Sequence, residues 1–112
     1  MAKYYYPAIF FPDGKIFGVV IPDLQGCFTQ GNNLLEATIW AVDAIGTYLD
    51  GIPEKDYPPP SKIDEVDISE YPNAIVNIIE FDAEEYYSSN FFKSVLKNIM
   101  FAFSPRKFSI DI

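Results

Sequence analysis

The sequence contains no histidine and a single cysteine, Cys27. The missing histidine removes Ser-His-Asp triads and imidazole acid–base chemistry. It also leaves Cys27 without the base that activates a cysteine nucleophile. A lone cysteine beside Phe28 in a short strand reads as a small buried apolar residue. It cannot form an internal disulfide, which fits a reducing, cytoplasmic compartment. There is no cysteine–histidine set with zinc spacing. Gly14, Gly18, Gly26 and Gly31 do not make a phosphate-cradling pattern. The opening Met1-Ala2-Lys3-Tyr4-Tyr5-Tyr6 has no apolar signal region, and no apolar run approaches the roughly 20 residues that span a bilayer. These absences predict a chain with no cofactor, no membrane segment and no catalytic residue.

Basic side chains are also scarce, eight against sixteen acidic ones. The imbalance is uneven. Residues 1–85 carry fifteen acidic and four basic side chains, whereas 86–112 carry Lys93, Lys97, Arg106 and Lys107 against Asp111. An acidic body repels phosphate, which disfavours direct nucleic-acid binding, and it steers toward basic proteins. A metal-dependent nuclease would need several carboxylates converging on one point. The acids here are scattered: Asp13 in a turn, Asp23 in a loop, Glu80 and Asp82 at a strand end, and Asp64, Glu65 and Asp67 in a connection. A solvated acidic surface accounts for them.

What the chain has in quantity is apolar and aromatic material, 49% and 17% of its 112 residues. That is enough for one compact domain with a core, and in so small a domain some aromatics can also serve an interface. Lys3 to Phe11 reads as a strand. Pro7 within it predicts an edge position or a local irregularity. Pro12-Asp13-Gly14-Lys15 is a turn, and Ile16 to Ile21 completes a hairpin. Phe28 to Gln30 is a short third strand. Residues 33–50 predict a helix, capped by Asn32 or Asn33 and stopped by Gly51 and Pro53. Leu34, Ala37, Ala41, Ala44, Ile45 and Tyr48 share one side. Glu36, Asp43, Thr47 and Asp50 form a narrow open stripe with Trp40 in its middle, away from the sheet. Residues 52–73 are a proline-rich acidic connection, and Ala74 to Phe81 a fourth strand. The order β-β-β-α-β predicts an α+β domain over 1–82, with one helix on one sheet face.

Beyond Asp82 lies a tail, 83–112, with an apolar segment. Phe92, Val95, Leu96, Ile99 and Phe103 fit helical spacing, with Ser89 as a cap and Pro105 as a stop. A strand through Ser94–Phe101 is the alternative.

The run Pro22-Asp23-Leu24-Gln25-Gly26-Cys27-Phe28-Thr29-Gln30-Gly31, followed by Glu36-Ala37 and a helix ending in Tyr48-Leu49, resembles the HicB antitoxin family. Pro58-Pro59-Pro60-Ser61 is similar to an element that follows the helix in that family. Gln25 departs from the pattern, which often has proline there. The resemblance covers residues 3 to about 82. It implies a partial ribonuclease-H-like fold and a non-enzymatic role: binding and neutralising HicA, a small basic ribonuclease that cleaves messenger RNA. Relatives often continue into a ribbon-helix-helix or helix-turn-helix segment that binds operator DNA. The residues after Ser94 look too few for either unit, so DNA binding by this chain is not expected.

Most motif residues read as structural. Pro22 ends a strand, Asp23 bonds local backbone, Leu24 anchors its loop in the core, and Gly26 and Gly31 permit tight turns. Cys27 and Ala37 are packing positions. The candidate partner-binding residues are Glu36, Trp40, Asp43 and Asp50. Phe91, Phe92, Val95, Leu96, Ile99 and Phe103 are candidate contacts in a homodimer or larger homo-oligomer. The alternatives are a stand-alone interaction or regulatory protein of the same fold, and a nucleic-acid-binding protein without a toxin partner.

Overall fold

The computed structural model describes residues 3–88. Four strands form one antiparallel sheet: β1 (Lys3–Asp13), β2 (Ile16–Val20), β3 (Phe28–Gly31) and β4 (Ile75–Asp82), in the order β3-β2-β1-β4. Helix α1 (Leu34–Leu49) follows β3, and a short helix α2 (Ala83–Ser88) follows β4. This is the α+β arrangement expected from the sequence, with α1 on one sheet face.

Register explains Pro7. β1 is an interior strand, so the expected edge position is corrected. Pro7 nevertheless pairs only with Ile78 of β4, because β2 has already ended at Val20 opposite Ile9. On that side no ladder remains to miss its amide.

Alternation along β1 sends Tyr6, Ala8 and Phe10 toward α1, where they meet Val19, Ile79 and Phe81. From the helix come Ala37, Ala41, Ile45 and Leu49, all fully buried at i, i+4 spacing. The alanines let the helix lie close to the sheet at its start. Ile45 and Leu49 are buried toward its end, each worth about 1.5–3 kcal/mol of burial. Leu34 was expected on this side, but it is exposed.

Gly31 was expected in a tight turn. Its role is close approach instead: a Cβ there would fall 2.4 Å from the Ala37 backbone nitrogen. Strand β3 and the start of α1 touch backbone to backbone at this point.

The connection 50–74 contains two 3-10 turns, Glu54–Asp56 and Ile63–Glu65. The Tyr6 hydroxyl donates to the Pro58 carbonyl at 2.7 Å, and the Tyr4 and Tyr57 rings meet edge to face at 5.0 Å. Farther on, Tyr71 packs on Phe11, whose side chain lies on the sheet face away from α1. The connection therefore starts beside α1 and comes to cover part of the opposite face.

Helix α2 was not expected. Its Ala83 and Tyr86 are buried in the main core, so the packed body continues past residue 82. The helix or strand predicted after Ser89, and the contacts assigned to Phe91, Phe92, Val95, Leu96, Ile99 and Phe103, lie outside the described residues. Among the described residues, no helix is long and apolar enough to cross a membrane.

Candidate partner-binding site

The motif run folds as a compact loop. Ile21 N–H donates to the Cys27 carbonyl at 3.0 Å, and Cys27 N–H to the Leu24 carbonyl at 2.9 Å. Leu24 is fully buried and Cys27 is 5% exposed, as expected for an anchor and a small apolar residue. Burial pushes the Cys27 thiol up to about 11. Gly26 has φ +81°, a conformation that favours glycine.

Asp23 departs from expectation. It was assigned local backbone bonds, but its carboxylate reaches 38 residues along the chain. Oδ2 accepts from the Ser61 amide at 2.7 Å and Oδ1 from the Ser61 hydroxyl at 2.6 Å. The connection is thereby fastened to the motif loop. Burial, and next the nearby Asp23 charge, push the Tyr6 hydroxyl up to about 12.

The four candidate residues on α1 do not form one open stripe. Glu36 is 1% exposed. Asn33 caps the helix by accepting from the Glu36 amide at 2.8 Å, while Glu36 Oε1 accepts from the Asn32 amide at 2.7 Å. This is a variant of the reciprocal capping box. Placing Glu36 with the exposed acids is therefore corrected: the cap folds the side chain inward.

Trp40 is half-buried and stands over the sheet edge rather than opposite the sheet. With Glu36 it lines a cleft of about 410 Å³ whose other walls include Ile16, Thr29, Gln30 and Gly31. Asp43 is half-buried and accepts from the Tyr86 hydroxyl of α2. Asp50 is exposed at the helix C-terminus, about 21 Å along the axis from Glu36. The structure thus brings Glu36 and Trp40 to one cleft, engages Asp43 with Tyr86, and leaves Asp50 at the far end of the helix.

The α1–α2 contact was missed by sequence reasoning. Gly46 makes room for Tyr86, since a Cβ at residue 46 would fall 2.2 Å from the Tyr86 ring. Tyr87 donates its hydroxyl to the Gly46 carbonyl at 2.5 Å. The available signal was a glycine inside an otherwise continuous helix pattern, which marks a close neighbour. Burial, then the hydrogen bond to Asp43, raises the Tyr86 hydroxyl above the ordinary tyrosine range. Among the described residues, no group of three or more cysteine or acidic side chains is placed to hold a metal ion.

Comparison with known proteins fits this geometry. Over 73 residues the chain is 34% identical to a 14.9 kDa protein from the rep–hol intergenic region of Haemophilus phage HP1. That match covers 62% of this chain and 53% of the phage protein, so the chain spans about half the length of that relative. A toxin–antitoxin complex from Streptococcus pneumoniae contains a chain similar in fold, with TM-score 0.65 and 24% identity over 78% of this chain and 74% of that one. A chain of the HicA3–HicB3 toxin–antitoxin complex matches with TM-score 0.57 and 25% identity, over 70% of this chain and 98% of the other. Residues 6–95, from the buried Tyr6 through the motif loop, the capped helix and α2, match the family described as HicB-like antitoxin of bacterial toxin–antitoxin systems, and the chain belongs to that family.

Proposed function

We propose that this chain neutralises a small basic HicA-like toxin that cleaves messenger RNA, and does so by binding it. The family match over residues 6–95 carries the reading. Similar structures that include a HicA3–HicB3 complex support a protein partner of this kind. The charge distribution supports it as well. Fifteen acidic side chains against four basic ones over residues 1–85 complement an RNA-binding protein surface, which must be basic. Such complementarity speeds encounter and sets orientation more than it deepens affinity. The candidate contacts are the half-buried Trp40 and the exposed Asp50.

Self-association through Phe91, Phe92, Val95, Leu96, Ile99 and Phe103 belongs to the same reading. It would leave the acidic body free for the toxin. Sedimentation at tens of micromolar checks this part: a dimer or larger assembly is expected, and a monomer would remove it.

The test is co-expression of the full chain with a small basic HicA-like protein, sought first among the products of neighbouring genes. That protein alone should arrest growth. Growth should return when the chain is present, and the two should purify together. Arrest that persists with equal amounts of folded chain would overturn the proposal.

A further inference from the structure

The two edges of the sheet differ. Edge strand β3 has four residues and ends with Gly31 against the backbone of α1. Edge strand β4 has eight, Ile75-Val76-Asn77-Ile78-Ile79-Glu80-Phe81-Asp82, without proline, lysine or arginine. A long apolar edge strand that nothing blunts is a template for another strand.

The hairpin determines which backbone groups of β4 face outward. Asp13 and Ile16 flank the two-residue turn Gly14-Lys15 and so form a hydrogen-bonded pair. By alternation along β1, Phe11, Ile9 and Pro7 aim their backbone groups toward β2, and Phe10, Ala8, Tyr6 and Tyr4 aim theirs toward β4. The partners Ile75, Asn77, Ile79 and Phe81 are therefore bonded to β1. Val76, Ile78 and Glu80 aim their amides and carbonyls away from the sheet. Among the described residues, no backbone hydrogen bond joins the connection to β4. The side chains along this row are apolar and open, with Ile75 48% exposed and Ile78 42%.

Charge narrows the occupant. Residues 1–85 are strongly acidic, so basic partners, and the basic residues of the chain's own tail, are drawn to acidic surfaces elsewhere. The β4 edge is close to neutral, because Glu80 pairs with Lys3 at 3.4 Å. Two acidic bodies repel one another over most of their surfaces, and they meet at least cost at such a place. Strand β4 also complements itself. A twofold axis at Ile78 sets that residue opposite the partner's Ile78, and Val76 opposite the partner's Glu80, so no like charges face one another.

We propose that two copies of this chain pair antiparallel through β4, joining their sheets into one continuous sheet. The contact is separate from the one assigned to the tail and from the toxin surface. Main-chain hydrogen bonds of Val76, Ile78 and Glu80 carry it. A single strand pair is smaller than a standard interface, so Kd should be on the order of 10–100 µM.

The test is amide exchange of the full chain, read residue by residue by NMR at two concentrations. Ile75, Asn77 and Ile79 should be strongly protected at both, because β1 holds their amides. Exchange at Val76, Ile78 and Glu80 should be fast when dilute and slow about fourfold between about 20 µM and about 1 mM, as mass action requires for that affinity. Fast exchange at both concentrations would overturn the proposal. So would equal protection at both in a sample that sediments as a monomer, the result expected if the chain's own residues after Ser88 cover the edge. Ile78→Glu replaces an exposed side chain, so the fold should hold. It should weaken pairing about tenfold by setting like charges opposite each other, read at Val76 and Glu80. Mixing it with Ile78→Lys should restore the pairing. Unchanged pairing in Ile78→Glu, or a mixture that pairs no better than Ile78→Glu alone, would sink the twofold contact at Ile78.

Discussion

Asp23 and Ser61 are joined by two hydrogen bonds across 38 residues of chain, one to the serine amide and one to its hydroxyl. The motif loop and the proline-rich connection are therefore one structural unit. Without Asp23, the partly buried Ser61 amide would lose its partner, and the connection would lose its fastening beside Tyr6.

Asp23→Ala should destabilise the fold by about 1–3 kcal/mol, since hydrogen bonds to a charged acceptor are lost. Ser61→Ala removes only the hydroxyl bond and should cost less. In a double-mutant cycle the two should couple by at least about 0.5 kcal/mol. Urea unfolding of the four proteins checks this. Additive effects would mean that the contact contributes little.

Gly46 and Tyr86 give a prediction that changes sign. Alanine normally favours a helix interior over glycine by about 1 kcal/mol. Here the added methyl would collide with the Tyr86 ring, and overpacking of that kind costs about 1–3 kcal/mol. Gly46→Ala alone should destabilise. In a Tyr86→Ala background the same change should stabilise. Thermal unfolding of both pairs decides the matter, and the same sign in both backgrounds would mean that Tyr86 is not what excludes a side chain there.

Alkaline pH should weaken the fold through Cys27. Its thiol is raised from 9.0 to about 11 by burial. A thiol raised in the folded state leaves stability intact below the unfolded value. As pH climbs from 9 toward 11, the unfolded chain loses its proton first, and stability falls by at most about 1.4 kcal/mol per pH unit. The raised hydroxyls of Tyr6, Tyr86 and Tyr87 extend the decline to higher pH. Cys27→Ala should flatten the profile between pH 9 and 10 when stability is measured by urea unfolding. An unchanged slope would show that the thiol does not contribute.

Of the acids on α1, Asp50 is the clean test of electrostatic steering, because it is exposed while Glu36 caps the helix and Asp43 holds Tyr86. Asp50→Lys should slow toxin association and reduce its salt dependence, with little change in the dissociation rate. Stopped-flow rates at two ionic strengths measure both. An unaffected association rate would place the toxin elsewhere on the body.

Much of the fold was legible because its signals are local. Alternation in Lys3–Phe11 and Ala74–Phe81, Gly14 in its turn, and an asparagine followed by Glu36 three positions later each mark an element within a few residues. What the sequence hid is non-local. Nothing near Asp23 says that Ser61 is its partner, although Ser61 already stood out beside Pro58-Pro59-Pro60. Nothing near Gly46 names Tyr86. The open stripe on α1 failed for a related reason. A helical wheel fixes where Glu36 leaves the backbone, but not that capping turns the carboxylate inward. Trp40 was legible as unusual, and its place beside Glu36 at the sheet edge needed the three-dimensional structure.

If this chain silences an RNA-cleaving partner by binding it, inhibition must follow the amount of chain present. The most direct measurement is cleavage of a labelled messenger RNA by a purified HicA-like toxin that the chain is proposed to bind, with the full chain added in steps. Cleavage should fall in proportion to added chain and stop near a fixed stoichiometric ratio, as expected for tight protein–protein inhibition. Cleavage that continues undiminished in the presence of excess folded chain would contradict the account.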